Sequence, residues 1–159
     1  PTLGILTPAE CRRAVDLDVV ILIASAFGIG AATQHSGLAD EVAGLVLGSV
    51  SGAGMVGTVF GLVLVTLVLT ELVTNNAAAI LVFPIAVSVA DTLGADARPL
   101  AIAVAAAASA SFLTPIGYQT NTMVYGPGGY RFSDYARLGA PLTVLVAIMI
   151  SVLVPILWL

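Results

Sequence analysis

The sequence predicts an all-α integral membrane fold in which transmembrane helices accompany a re-entrant helical hairpin and a broken helix. Three observations predict it. Of 159 residues, 59% are apolar and only 9% charged, against about a quarter charged in a soluble domain, and the mean hydropathy is +1.10. The apolar residues form continuous runs without the alternation of a membrane β-barrel. Two of those runs are interrupted by short polar stretches, Thr74-Asn75-Asn76 and Thr114-Pro115-Ile116-Gly117.

The elements follow in order. Residues 6–16 predict a short surface helix, with Thr7 as N-cap, Pro8 at the first helical position and Glu10 in the first turn. Residues 17–33 are just long enough to cross a bilayer. His35, the only histidine, marks the far surface as a loop residue, with proton handling as the alternative. Across residues 37–52, Leu38, Val42, Leu45, Val46 and Ser49 recur at helical spacing with Asp40 and Glu41 on the other side, as in an amphipathic arm lying in the interface.

Residues 53–90 contain two apolar arms around Thr74-Asn75-Asn76. The first is long enough to cross, but the second, residues 77–90, is short and interrupted by Pro84. Either both arms dip in and return, placing the tripeptide at depth, or the longer arm crosses and the tripeptide is a surface turn. A returning hairpin puts Arg12, Arg13, Arg131 and Arg137 on one side and only Arg98 opposite, which obeys the positive-inside rule and favours the hairpin. Residues 99–125 form a broken crossing, with small residues from Leu100 to Phe112 and Pro115 freeing the Ser111 carbonyl. Gly126-Pro127-Gly128-Gly129 is a turn, residues 131–139 a linker, and residues 140–159 a final crossing.

The exclusions are also informative. The chain has five arginines, no lysine and no basic patch, so nucleic-acid binding is not supported. Cys11 is the only cysteine, which excludes an internal disulfide. A chain that begins at Pro1 without a signal sequence reads as a fragment of a longer protein or an incomplete gene model.

Polar groups at membrane depth require partners. The N-terminal amides of the second hairpin arm, taken to begin at Ala77, suit an anion, and the carbonyls ending the first arm suit a hard cation such as sodium. Plainer readings coexist: Asn76 as an N-cap, Thr114-Pro115 as a packing kink, and Glu71 as a hydrogen-bond partner, an ion or proton ligand, or a surface residue.

The stretches TELVTNNAAAILVFPIA and SASFLTPIGYQTNTMVYGPGGYRFSDYARLGAPLTVL closely resemble the C-terminal portion of permeases in the divalent anion to sodium symporter family, within the citrate-transporter-like ion transporter superfamily. The resemblance implies one part of an inverted-repeat transporter, not an enzyme, and a multi-pass protein of the cell inner (plasma) membrane. It implies no cofactor beyond Na⁺ as coupling ion, and a sodium-coupled symporter for a divalent anion such as sulfate or a di- or tricarboxylate. The family's hairpin tip is Ser-Asn-Thr, here Thr74-Asn75-Asn76. By motif position Thr70, Asn75 and the carbonyls of Val73 and Leu113 would form a sodium site. Thr74, Asn75, Asn76, Thr114 and Pro115 would face the anion. The missing N-terminal half would supply the rest of the site, and the full-length protein would be a homodimer. The rival expectations are a sodium/proton antiporter or arsenite permease of the same superfamily, in which Glu71 would titrate, and a membrane scaffold subunit without a substrate.

Overall fold

The computed structural model describes residues 17–50 and 52–158. Among them are seven helices and no strand: α1 Leu17–His35, α2 Leu38–Ser49, α3 Gly54–Leu72, α4 Asn75–Leu93, α5 Ala97–Ala108, α6 Gln119–Tyr125 and α7 Phe132–Trp158. The surface helix expected at residues 6–16, with Cys11, Arg12 and Arg13, lies outside the described residues. Among the described residues, α3, α4 and α7 are long and apolar enough to cross a membrane.

Helices α3 and α4 form an antiparallel hairpin joined by Val73 and Thr74. Thr74, not Asn76, caps the second arm, its Oγ1 accepting from Ala77 N at 3.3 Å, so the helix begins at Asn75, two residues earlier than expected. That arm is also longer than the 14-residue apolar stretch suggested. It continues through Pro84, which is buried, and stops at Gly94. There a left-handed backbone (φ 64°) lets Ala95 N return to Ala90 O at 2.9 Å, a geometry that glycine adopts without steric cost.

Helix α4 lies at the centre, packed against α1, α2, α3 and α5, while α3 is further covered by α5 and α7. The interior is filled by medium and small side chains, among them Leu62 and Val63 of α3, Val82 and Ala86 of α4, and Ala103 and Ala107 of α5. Alanines at such contacts let helix backbones come close, which favours dispersion between helices where no water is expelled. The outward face of α7 is apolar, with Leu145, Ile148 and Ile156 exposed. An apolar exterior around buried hydroxyls is the distribution expected of a chain in lipid.

Helix α2 turns mainly small residues toward the protein interior. The covered stripe is Ala39, Ala43 and Val46, whereas Leu38 and Leu45 are exposed. The small residues permit close approach to α4, and the Asp40 carboxylate accepts a hydrogen bond from Ser88 Oγ of that helix. Loss of the bond in Ser88→Ala is expected to destabilise the protein by about 1 kcal/mol. Thermal unfolding in detergent measures it, and an unchanged midpoint would mean that the alanine stripe alone holds α2.

Helix α5 ends at Ala108, four residues short of Phe112, and α7 begins at Phe132, so residues expected to form a linker are helical. Asp134 explains the second difference, because its Oδ2 accepts from Arg131 N at 2.8 Å and closes the first turn. Partners on the hairpin explain the first.

Candidate binding site at the hairpin tip

The last turn of α3 carries two side chains that reach across to the break after α5. Thr70 is fully buried and donates its hydroxyl proton to Ala108 O at 2.6 Å. In a continued helix that carbonyl would take the amide of Phe112. Glu71, also buried, accepts from Leu113 N at Oε1 and from Thr114 Oγ1 at Oε2, both at 2.9 Å. Tertiary partners thus replace the helical ladder on both sides of the break.

Asn75 completes the junction. Its inner amide atom lies 2.9 Å from Thr70 Oγ1, whose proton is already given to Ala108. The inner atom is therefore the nitrogen, whose two protons are shared among Thr70 Oγ1 at 2.9 Å, Ala108 O at 3.2 Å and Gly117 O at 3.3 Å. Oδ1 is left turned away from these three oxygens. Gly117 is closely enclosed: a Cβ there would displace the Ser111 hydroxyl and stand 3.0 Å from Glu71 Oε2.

The far side of the break is also supported. Pro115 cannot supply an amide to Ser111 O, and Asn121 Nδ2 does so instead, at 3.1 Å, while also donating to Thr114 O at 3.1 Å. Thr122 Oγ1 donates to Pro115 O at 2.8 Å. Tyr135 of α7 donates to the Asn121 backbone carbonyl at 2.9 Å. Gly139 of α7 rests directly on the peptide of Phe112, leaving no room for a Cβ.

Thr70 and Asn75 thus meet at the break, together with the carbonyls of Ala108 and Gly117. Leu113 and Thr114 are bound to Glu71. Val73 ends α3, its N–H donating to Leu69 O at 2.9 Å. Thr74 and Asn76 are exposed at the tip, Pro115 is buried, and among the described residues no side-chain hydrogen bond joins Asn76 to the break. The Thr114 hydroxyl is committed, donating to Glu71 and accepting from Gly117 N at 3.1 Å. It has no proton to spare for an anion in this arrangement.

Two contributors had no assigned role in the sequence reading. One is Asn121, for which the carbonyl freed by Pro115 is the signal that a donor must come from nearby. Ala108 carries no side-chain signal; only its place at the end of α5 marks it.

The junction joins opposed partial charges. Helix α4 begins here with the positive end of its dipole, and α3 and α5 end here with the negative ends of theirs, so cation and anion sites can adjoin without a charged side chain facing either ligand.

The whole chain, residues 1–159, matches the family model described as Citrate transporter. Among curated relatives it is 43% identical, over 98% of its length, to an uncharacterized transporter of Synechocystis, of which it covers 25%. It is 37% identical to sodium/sulfate cotransporter 1 of Chlamydomonas reinhardtii and 33% identical to sodium/sulfate cotransporter 2 of the same organism. Each of these matches takes in 92% of this chain and 17% of the relative. The chain therefore spans between a sixth and a quarter of the length of these relatives, which are transporters by name and not enzymes.

Proposed function

The chain belongs to the citrate transporter family, a family of membrane proteins, and from that premise we propose that it forms part of a sodium-coupled symporter for a divalent anion, with sulfate as the first candidate. The observation that carries this reading is the meeting of a hairpin tip with a broken helix. Thr70, Glu71 and Asn75 are bonded to Ala108, Leu113, Thr114 and Gly117. Discontinuous helices joined in this way are how a carrier presents backbone groups to ligands inside a membrane. The names of the two Chlamydomonas relatives, sodium/sulfate cotransporters, support sodium and sulfate as the ligands.

In this proposal sodium binds among oxygens of Thr70, Asn75, Val73 and Leu113, with Asn75 offering the Oδ1 that its inward-facing nitrogen leaves free. The anion sits against the first turn of α4, at Thr74, Asn75 and Asn76. The Thr114-Pro115 segment forms the wall of its site and contributes shape, since the Thr114 hydroxyl is engaged elsewhere. Sodium is bound as co-substrate. The remaining walls come from the rest of a longer permease of the cell inner (plasma) membrane, one that operates as a homodimer.

The hairpin is re-entrant in this reading. The break that is bonded to the last turn of its first arm rests on Gly139, the close-packed glycine of α7. Seven residues of α7 precede Gly139, which carries that helix ~10 Å beyond its contact with the break. Helix α6 also lies past the break in sequence. A tip at depth follows if α7 is the full crossing.

Uptake of labelled sulfate, succinate and citrate into proteoliposomes containing the full-length permease tests the proposal. An inward sodium gradient is expected to drive sulfate accumulation that a potassium gradient does not. Absence of sodium-dependent accumulation of all three anions would overturn it.

A further inference from the structure

We infer that Glu71 is a positioning residue that sets sodium affinity by holding the broken helix to the hairpin, an inference that rests on the symporter reading above. Glu71 is buried at the last turn of α3, and its two oxygens are shared between consecutive residues of the break, Leu113 through its N–H and Thr114 through its hydroxyl. The Phe112–Leu113 peptide is thereby fixed by its amide and the Thr114 side chain by its hydroxyl, so the Leu113 carbonyl proposed as a sodium ligand lies between two anchored points. Adjacent Thr70 holds the end of α5 through Ala108 O. Consecutive side chains of one helix turn therefore grip the strand of backbone on either side of the cation position. The carboxylate reaches sodium's ligands without being one.

The Thr114 contact adds a second consequence. With its proton on Glu71 and its lone pair accepting from Gly117 N, Thr114 is locked in one rotamer. The anion wall is then shaped before the anion arrives. A positioning carboxylate must retain its reach as well as its charge, and this separates it from a direct ion ligand or a proton carrier.

The test uses the full-length permease in proteoliposomes and compares Glu71→Gln with Glu71→Asp. Glu71→Gln keeps the length but converts one acceptor into a donor facing Thr114. Glu71→Asp keeps the charge but is one methylene too short to span both partners. In each variant the sodium half-saturation of sulfate uptake is expected to rise about 10-fold, the equivalent of one lost charge-assisted hydrogen bond. The sulfate KM at saturating sodium should move less than about threefold, since the anion is gripped mainly by the first turn of α4. A merely structural loss would lower the maximal rate and leave this split absent.

A wild-type sodium half-saturation in either variant would overturn the inference, as would equal rises in the sodium and sulfate constants. If the wild-type permease itself shows no sodium-dependent uptake, the symporter reading falls and this inference falls with it. Normal wild-type coupling with unchanged variants removes this inference alone.

Discussion

Gly139→Ala is expected to displace the broken helix and reduce sodium-dependent uptake by at least tenfold. A Cβ at this position would lie 2.1 Å from Phe112 O, 2.5 Å from Phe112 C and 3.1 Å from Leu113 N. All three are backbone atoms, so no side-chain rotation relieves the clash, and either α7 or the break has to move. Overpacking of this kind costs roughly 1–3 kcal/mol. The larger effect is on geometry, because Leu113 N is the donor to Glu71, and displacement of about 1 Å at a binding centre can cost on the order of 100-fold. Gly126→Ala is the matched control, as a Cβ there would meet nothing within 4 Å. Uptake rates normalised to folded protein, with thermal midpoints for both variants, make the comparison. Equal uptake by the two variants would show that the contact between α7 and the break is not needed for function.

The breaks are legible in the sequence because they violate the surrounding chemistry. Thr74-Asn75-Asn76 places polar side chains inside a long apolar run, and Pro115 removes an amide on which Ser111 would depend. Both act locally, so a reader of the chain can find them. The helix ends near the breaks are less legible, because they depend on residues far away in sequence. Nothing between Ala108 and Phe112 says that the ladder stops; Thr70 and Glu71, about forty positions earlier, supply the replacement bonds. The covered face of α2 is hard to read from the sequence for a different reason. Leucine carries the stronger hydrophobic signal in water, but between helices in a membrane the advantage goes to alanine, which lets backbones approach. Residues 131–139 suggested a linker through their charges, yet Asp134 uses its charge to start a helix.

Asn75→Asp is expected to reduce sodium-dependent uptake by about 100-fold despite being nearly isosteric. The amide nitrogen now donates toward Thr70 Oγ1, Ala108 O and Gly117 O, and a carboxylate offers these acceptors only another acceptor. The Thr70 proton can turn to the new carboxylate only by abandoning Ala108 O, so at least one buried carbonyl is left unmatched. An unsatisfied buried group costs about 1–3 kcal/mol, and a tenfold change corresponds to about 1.4 kcal/mol. Loss of the nitrogen's two donated protons therefore reaches the expected size. Charge works in the opposite direction, since an added carboxylate beside a sodium position would tighten cation binding if electrostatics dominated. The two views separate cleanly in the sodium dependence. If the nitrogen's three contacts hold the junction, Asn75→Asp has weak uptake at every sodium concentration and Asn75→Ser, with one small donor, falls between it and wild type. If the variant instead shows lower sodium half-saturation with preserved uptake, the nitrogen's contacts are not what holds the junction, and the dominant role of this side chain is an oxygen beside the cation.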